Sequence, residues 1–271
     1  MPELPEVQTV VSELNQQIQG RTIKSVNILR DSIIQNSKSD FVKAIKNRLI
    51  LNVKRKGKYI LFELQEGSWM LAHLRMTGKF VVQKSPVSTH KHDRVLFELD
   101  NRLTMIFNDV RCFGTLEIIT SPENNDKINQ LGWDPWDKQL TPSALHNKFK
   151  NRSTTIKTLL LDQGIIAGLG NIYVAEILFN AKISPFKTGR KLTKAQLSRL
   201  IESTKSILNE ALKYNGTSIS DYRRVDDKQG TFQNFLQVYG KEGQPCPICS
   251  SPIQKKRQNQ RSTFYCVQCQ T

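Results

Sequence analysis

The chain has 271 residues, enough for two domains and a small additional module. Forty Lys and Arg against 24 Asp and Glu leave a net charge of +16 and an isoelectric point near 9.7, an excess that points to a polyanionic partner. Only 38% of residues are apolar, no apolar run reaches the roughly eighteen a membrane span needs, and the N-terminus has no signal-peptide pattern, so the composition predicts a cytosolic protein.

The chain opens Met1-Pro2-Glu3-Leu4-Pro5-Glu6. A proline in second position permits removal of Met1, which leaves a secondary amine on Pro2. Such an amine is a nucleophile toward an aldehydic carbon, and the Glu3 carboxylate beside it is placed to move protons. An α-amino group of pKa about 7.7–8.0 is roughly one-tenth neutral at pH 7, against a few in ten thousand for a lysine near 10.4. Alone, a second-position proline more often reports methionine excision than catalysis.

Val7, Val10, Val11, Leu14 and Ile18 recur at helical spacing and predict a helix after this segment. Short runs of β character follow at 25–29, 49–53, 59–64, 68–74, 79–82, 94–99, 102–107 and 115–119, with a helix near 41–46 between the first two. Their length and turn-punctuated spacing indicate an antiparallel sandwich or barrel over residues 1–120. Residues 121–142 form a polar linker whose Trp133 and Trp136 suit a place where two domains meet. Helices then dominate 143–222, at 143–149, 154–163, 171–181 and 193–214, the last with a Thr193/Gln196 capping box and an Asn215-Gly216 stop. Residues 220–230 read as an exposed loop, and 223–271 as that loop followed by a cysteine-containing hairpin.

Cys246-Pro-Ile-Cys249 and Cys266-Val-Gln-Cys269, separated by residues 250–265, match a four-cysteine zinc template. Four thiolates leave no open coordination position, so the expected ion is single and structural. Lys255, Lys256, Arg257 and Arg261 between the pairs make a basic hairpin suited to phosphate or groove contact. The run from Leu160 to Asn171 places Gly168 and Gly170 before a helix, a combination that admits a phosphate close to the backbone, though a helix-packing corner gives the same pattern. In the first domain, alternation over Lys54-Arg-Lys-Gly-Lys-Tyr59 puts Lys54, Lys56 and Lys58 on one strand face if Gly57 introduces no bulge. Met76 and Phe113 lie beside glycine turns, and core packing is the ordinary fate of such side chains. His90 and His92 beside Asp93 supply too few ligands for a second metal site.

Taken together, the Pro2-Glu3-Leu4-Pro5-Glu6-Val7 start, the Gly168–Asn171 turn and the terminal cysteine pairs closely resemble the bacterial formamidopyrimidine-DNA glycosylases, over the whole chain. The resemblance implies an α+β, multidomain protein: a β-sandwich with flanking helices, a helix-two-turn-helix domain and a zinc finger. It implies base excision repair by a bifunctional glycosylase and abasic-site lyase, acting as a monomer on double-stranded DNA that carries oxidised purines (8-oxoguanine, formamidopyrimidines) or abasic sites. Its setting would be the bacterial cytoplasm, at the nucleoid. On matching positions, Pro2 inherits the nucleophile, Glu3 proton transfer, Glu6 support of the active site, and Lys58 contact with the lesion and its phosphate. Met76, Arg111 and Phe113 inherit the wedge that fills the helix after base eversion. Asn171 and Arg261 inherit phosphate binding, with Lys157 and His92 as further DNA contacts, and the 223–230 loop inherits lesion capping. Gln8, Cys112 and Asn215 depart from the family pattern, which often has Glu, a basic residue and Gly there. Three other readings compete: the sister glycosylase for oxidised pyrimidines, whose start typically has Gly in place of Leu4, a non-catalytic zinc-finger DNA-binding protein, and a small-molecule enzyme with an N-terminal proline.

Overall fold

The apolar stripe after the N-terminal segment forms helix α1, Leu4–Ile18, which buries Leu4, Val7, Val10, Val11, Leu14 and Ile18 on one side. Its polar side is used too: the Asn15 amide accepts from the Val53 N–H at 2.7 Å and donates to the Val53 carbonyl at 2.6 Å, pinning the helix to the neighbouring strand. In the computed structural model, residues 1–218, 225 and 228–271 are described. They divide into one unit of 1–129 with 214–231 and another of 130–213 with 232–271.

In the first unit all eight anticipated strands form: β1 (Ile23–Ile28), β2 (Ile50–Lys56), β3 (Tyr59–Leu64), β4 (Trp69–His73), β5 (Gly78–Lys84), β6 (Asp93–Leu99), β7 (Leu103–Asp109) and β8 (Thr115–Ile119). They make two antiparallel four-stranded sheets, ordered β1-β6-β7-β5 and β2-β3-β4-β8. Inward residues of both sheets fill one core in which the Phe62 and Phe80 rings meet edge to face at 5.3 Å. Helix α2 (Lys38–Ile45), capped by Ser37 Oγ accepting from the Asp40 N–H, and the single turn α3 (Asp126–Asn129) flank the sheets.

One expectation fails locally. Lys56 pairs with Tyr59, so Gly57 and Lys58 form a two-residue hairpin turn with Gly57 at φ 57°. Lys58 therefore does not extend the face of Lys54 and Lys56; the tight turn re-aims it into a buried position.

The second unit contains α4 (Pro142–Phe149), α5 (Ile156–Leu161), α6 (Asn171–Asn180), α7 (Lys194–Lys213) and the hairpin β9 (Gln254–Gln258)–β10 (Arg261–Tyr265). Thr193 and Gln196 form the reciprocal capping box that starts α7, both bonds at 3.2 Å. After α7, Asn215 takes a φ of 58°, a left-handed conformation asparagine tolerates, so the departure from glycine there leaves the helix stop intact. Trp133 and Trp136 are engaged within this unit. Lys148 lies 5.1 Å over the Trp133 ring and Trp136 Nε1 donates to Asn209 Oδ1 at 3.1 Å. Among the described residues, no helix is long and apolar enough to cross a membrane.

Candidate active site and nucleic-acid interface

The Glu6 carboxylate ties the N-terminal segment to a distant stretch of chain. Glu6 Oε2 accepts from the Glu3 N–H at 2.7 Å, and Glu6 Oε1 accepts from the Thr217 N–H, 211 residues away in sequence, at the same distance. Glu3 and Glu6 are 4% and 2% exposed, so both carboxyls lie within the unit rather than on its surface. Gly216, at φ 78°, is required for this approach: a Cβ there would stand 2.6 Å from Glu6 Oε1. Pro2 is buried and Met1 exposed. On the other side of α1, Arg55 Nε donates to Gln8 Oε1 at 3.0 Å, so the uncommon glutamine still serves as an acceptor.

Lys58 is buried in its turn. Nearby, His73 packs edge-on against Tyr59 at 4.8 Å and accepts the Arg75 N–H through Nδ1 at 2.9 Å. Burial first, then the charges of Arg75 and Lys58, lowers its pKa to about 3, so this imidazole is a neutral, fixed acceptor at physiological pH. Nothing in the sequence singled out His73, because its neutrality comes from neighbours that only the fold assembles.

Met76 and Phe113 are 38% and 54% exposed, so neither takes the core position that is usual for its type. Arg111 lies 4.8 Å over the Phe113 ring. Between them Cys112 has a φ of 55°, and its thiol faces the Asp109 carbonyl at 3.7 Å. His92 sits beside this loop: its carbonyl accepts the Asp109 N–H at 2.9 Å and its Nδ1 lies 3.3 Å from Arg94 Nη2.

In the second unit, three of the anticipated DNA contacts converge. The Ser262 carbonyl accepts from Lys157 Nζ at 2.7 Å and from Asn171 Nδ2 at 3.1 Å, directly after the exposed Arg261. Lys157 also donates to Thr263 Oγ1 at 2.7 Å and is 1% exposed, so its ammonium is committed to strand β10. Gly168 and Gly170 are buried as well, and Gln163, which sequence reasoning missed, staples their turn by accepting from the Gly168 N–H and donating to the Leu169 carbonyl, each at 2.9 Å. Glu176 is a second such anchor. It accepts the N–H groups of Gln237, Val238 and Tyr239 at 2.8, 3.0 and 2.8 Å; burial pushes its carboxyl up while those donors and Lys241 pull it down.

Burial, and then the charge of Arg261, lowers the Lys157 pKa from 10.5 to about 8. The unfolded chain therefore binds more protons at this site between pH 8 and 10.5, and its contribution to stability rises with pH across that window. Thermal unfolding of wild type and Lys157→Met should show a difference that moves in favour of wild type as pH rises from 8 to 10. A difference independent of pH would remove the buried-ammonium account.

The four cysteine sulfurs lie within 4.8 Å of one another, with Cys246–Cys269 at 3.8 Å and Cys249–Cys266 at 3.4 Å. A tetrahedral zinc with Zn–S bonds of about 2.3 Å requires sulfur–sulfur edges of about 3.8 Å, so the cluster fits the ion. Hydrogen bonds from the Ser251 backbone and hydroxyl lower Cys249 to about 6; burial pushes Cys269 up to about 12. The hairpin above the cluster closes through Asn259 and Gln260, both at positive φ, which leaves Lys255, Lys256, Arg257 and Arg261 outward.

Residues 1–116 match the family model described as formamidopyrimidine-DNA glycosylase N-terminal domain. Residues 131–223 match its H2TH domain, and 243–271 the zinc finger found in FPG and IleRS. The formamidopyrimidine-DNA glycosylase of Exiguobacterium sp. is 39% identical over 274 residues, covering 100% of this chain and 99% of the relative. The chain belongs to the formamidopyrimidine-DNA glycosylase family. The glycosylase of Rickettsia massiliae is 38% identical, with 100% and 97% coverage. Among solved members of the family, a Lactococcus lactis variant in complex with DNA containing Fapy-dG has a TM-score of 0.93 at 35% identity, and the L. lactis protein with abasic-site DNA has 0.93 at 34%. Each comparison covers 99% of both chains. The mixed α+β architecture anticipated from sequence, with antiparallel sheets, helical domain and four-cysteine finger, is the architecture of this family.

Proposed function

We infer that this chain is a base-excision-repair DNA glycosylase and abasic-site lyase that removes 8-oxoguanine and formamidopyrimidines from duplex DNA, working as a monomer at the bacterial nucleoid. The observation that carries the reading is the anchored amino terminus: Glu6 ties the Glu3 N–H to the chain after α7 and so fixes where Pro2 lies. A base inside the stack is out of reach, so it must be everted at a cost of a few kcal/mol. Exposed Met76, Arg111 and Phe113 offset that cost by occupying the gap. The Pro2 amine, freed of Met1, attacks C1′, the bond to the base breaks, and Glu3 handles the proton. The resulting iminium is an electron sink that drives β- and then δ-elimination at the flanking phosphates. Lys58 engages the lesion and its phosphate, and Arg111, Asn171, Arg261 and His92 hold the strand, with Lys157 holding β10. Capping of the lesion falls to the 223–230 loop, of which 223, 224, 226 and 227 lie outside the described residues. Cys246, Cys249, Cys266 and Cys269 hold one zinc, whose contribution is to fix the finger's fold.

A duplex carrying one 8-oxoguanine opposite cytosine tests this directly. Wild type should cut it to β,δ-elimination products on a denaturing gel. Phe113→Ala and Met76→Ala should each lose about tenfold or more on that duplex and far less on a preformed abasic site, where no base needs everting. An uncut lesion strand would refute the activity, and equal losses on both substrates would return Met76 and Phe113 to a structural role.

A further inference from the structure

Strands β5 and β7 are neighbours, and Gly78, the first residue of β5, is paired with Asp109, the last of β7. The loop before Gly78 carries Met76, and the loop after Asp109 carries Arg111 and Phe113. The two loops thus leave the same end of one sheet side by side, but adjacency alone does not fix exposed side chains relative to one another.

Asp109 supplies the fixing. It is 0% exposed, and each oxygen holds a different segment. Its Oδ1 accepts from the Thr77 hydroxyl and from the Arg111 N–H at 3.2 Å; its Oδ2 accepts from the Gly114 N–H at 2.7 Å. Thr77 Oγ1 in turn accepts from the same Arg111 N–H at 3.0 Å. One carboxylate therefore binds the residue after Met76 and the residues at both ends of Arg111–Gly114. Gly114 leaves room for it: a Cβ there would meet the Phe107 ring at 2.6 Å and Asp109 Oδ2 at 3.1 Å. From the outer side, Arg94 Nε donates to the Asp109 carbonyl at 2.7 Å.

We propose that Asp109 is a positioning residue that ties the Met76 loop to the Arg111–Phe113 loop, so that the three side chains meet DNA as one preformed wedge. The proposal rests on the wedge reading above. Its physical basis is preorganisation: loops held before binding lose little freedom on insertion, whereas untied loops must be ordered at that moment. Hydrogen bonds to a carboxylate are among the stronger ones, so their loss is felt by the inserted geometry.

Asp109→Asn replaces one acceptor oxygen with a donor that faces another donor. Excision from the 8-oxoguanine duplex should slow about tenfold or more, with eversion, followed by 2-aminopurine fluorescence beside the lesion, slowed in step. Amide hydrogen exchange at Arg111 and Gly114 should accelerate, a change that a loss of overall stability would spread over the whole unit. Thr77→Val, the milder variant should Asp109→Asn not fold, should reproduce the direction of both effects, and Thr77→Ser should restore wild-type behaviour. If Phe113→Ala slows excision while Asp109→Asn and Thr77→Val do not, the tie is refuted and the wedge stands. If Phe113→Ala itself has no effect, the wedge reading falls and the positioning role falls with it; faster exchange at Arg111 and Gly114 would then show only that Asp109 holds the two loops together, and unchanged exchange would refute that too.

Discussion

Cys249→Ser should leave a protein that has lost its zinc and most of its affinity for DNA, while the β-sandwich unit stays folded. The hairpin cannot stand on its own apolar contacts, being far below the roughly 40 residues at which chains commonly need metals or disulfides. Its small core, Val238, Ile253, Phe264 and the thiols Cys246 and Cys266, is shared with Ala175 and Phe179 of α6. Structural zinc contributes about 10–16 kcal/mol in isolated fingers, more than that core can replace. When the cluster opens, β10 is released, and with it the Ser262 carbonyl that Lys157 and Asn171 grip and the register of Arg261. The expected loss of binding is at least about a hundredfold, because several phosphate contacts go together. Elemental analysis should return one zinc per wild-type chain. A metal-free preparation that binds and cuts DNA at the wild-type level would sink this account.

Local pattern made much of this fold legible. Short runs of β character and the turn residues between them located eight strands, because each run contributes buried side chains to the same core. The cysteine spacing was legible for a similar reason: two short knuckles and a hairpin suffice to bring four sulfurs together. What stayed hidden is what the fold assembles from distant segments. Glu6 and Thr217 are 211 residues apart, and no local pattern reports their bond. Asp109 carries no signal of its own in the sequence; only strand pairing puts Thr77 against it. The resemblance makes Lys157 a DNA contact, yet two acceptors on β10 draw its charge inside. Simple alternation carries Lys58 onto the strand face of Lys54 and Lys56 only if Gly57 keeps the strand regular, and a two-residue hairpin at Gly57-Lys58 removes that condition. In each case the decisive partner comes from another element, so composition and spacing are silent.

That burial of Lys58 bears on the nucleophile, the second large effect. Lys58, 6% exposed in its hairpin turn, is a second amine within this unit, and the trapped adduct has to tell it apart from Pro2. Borohydride reduces the iminium to a stable protein–DNA adduct, and peptide mapping of that adduct should find it on Pro2. An extra residue left ahead of Pro2 converts its nitrogen to an amide with no available lone pair, so base removal should fall on the order of 10³-fold or more. Pro2→Gly should keep part of the activity, since a primary amine also forms a Schiff base. Glu3→Gln should cut base removal by about 10²–10⁴-fold yet still permit trapping at a preformed abasic site, which needs the amine but no departing base. An adduct on Lys58, or full-rate cleavage by protein with a blocked N-terminus, would transfer the nucleophile's role from Pro2 to the lysine.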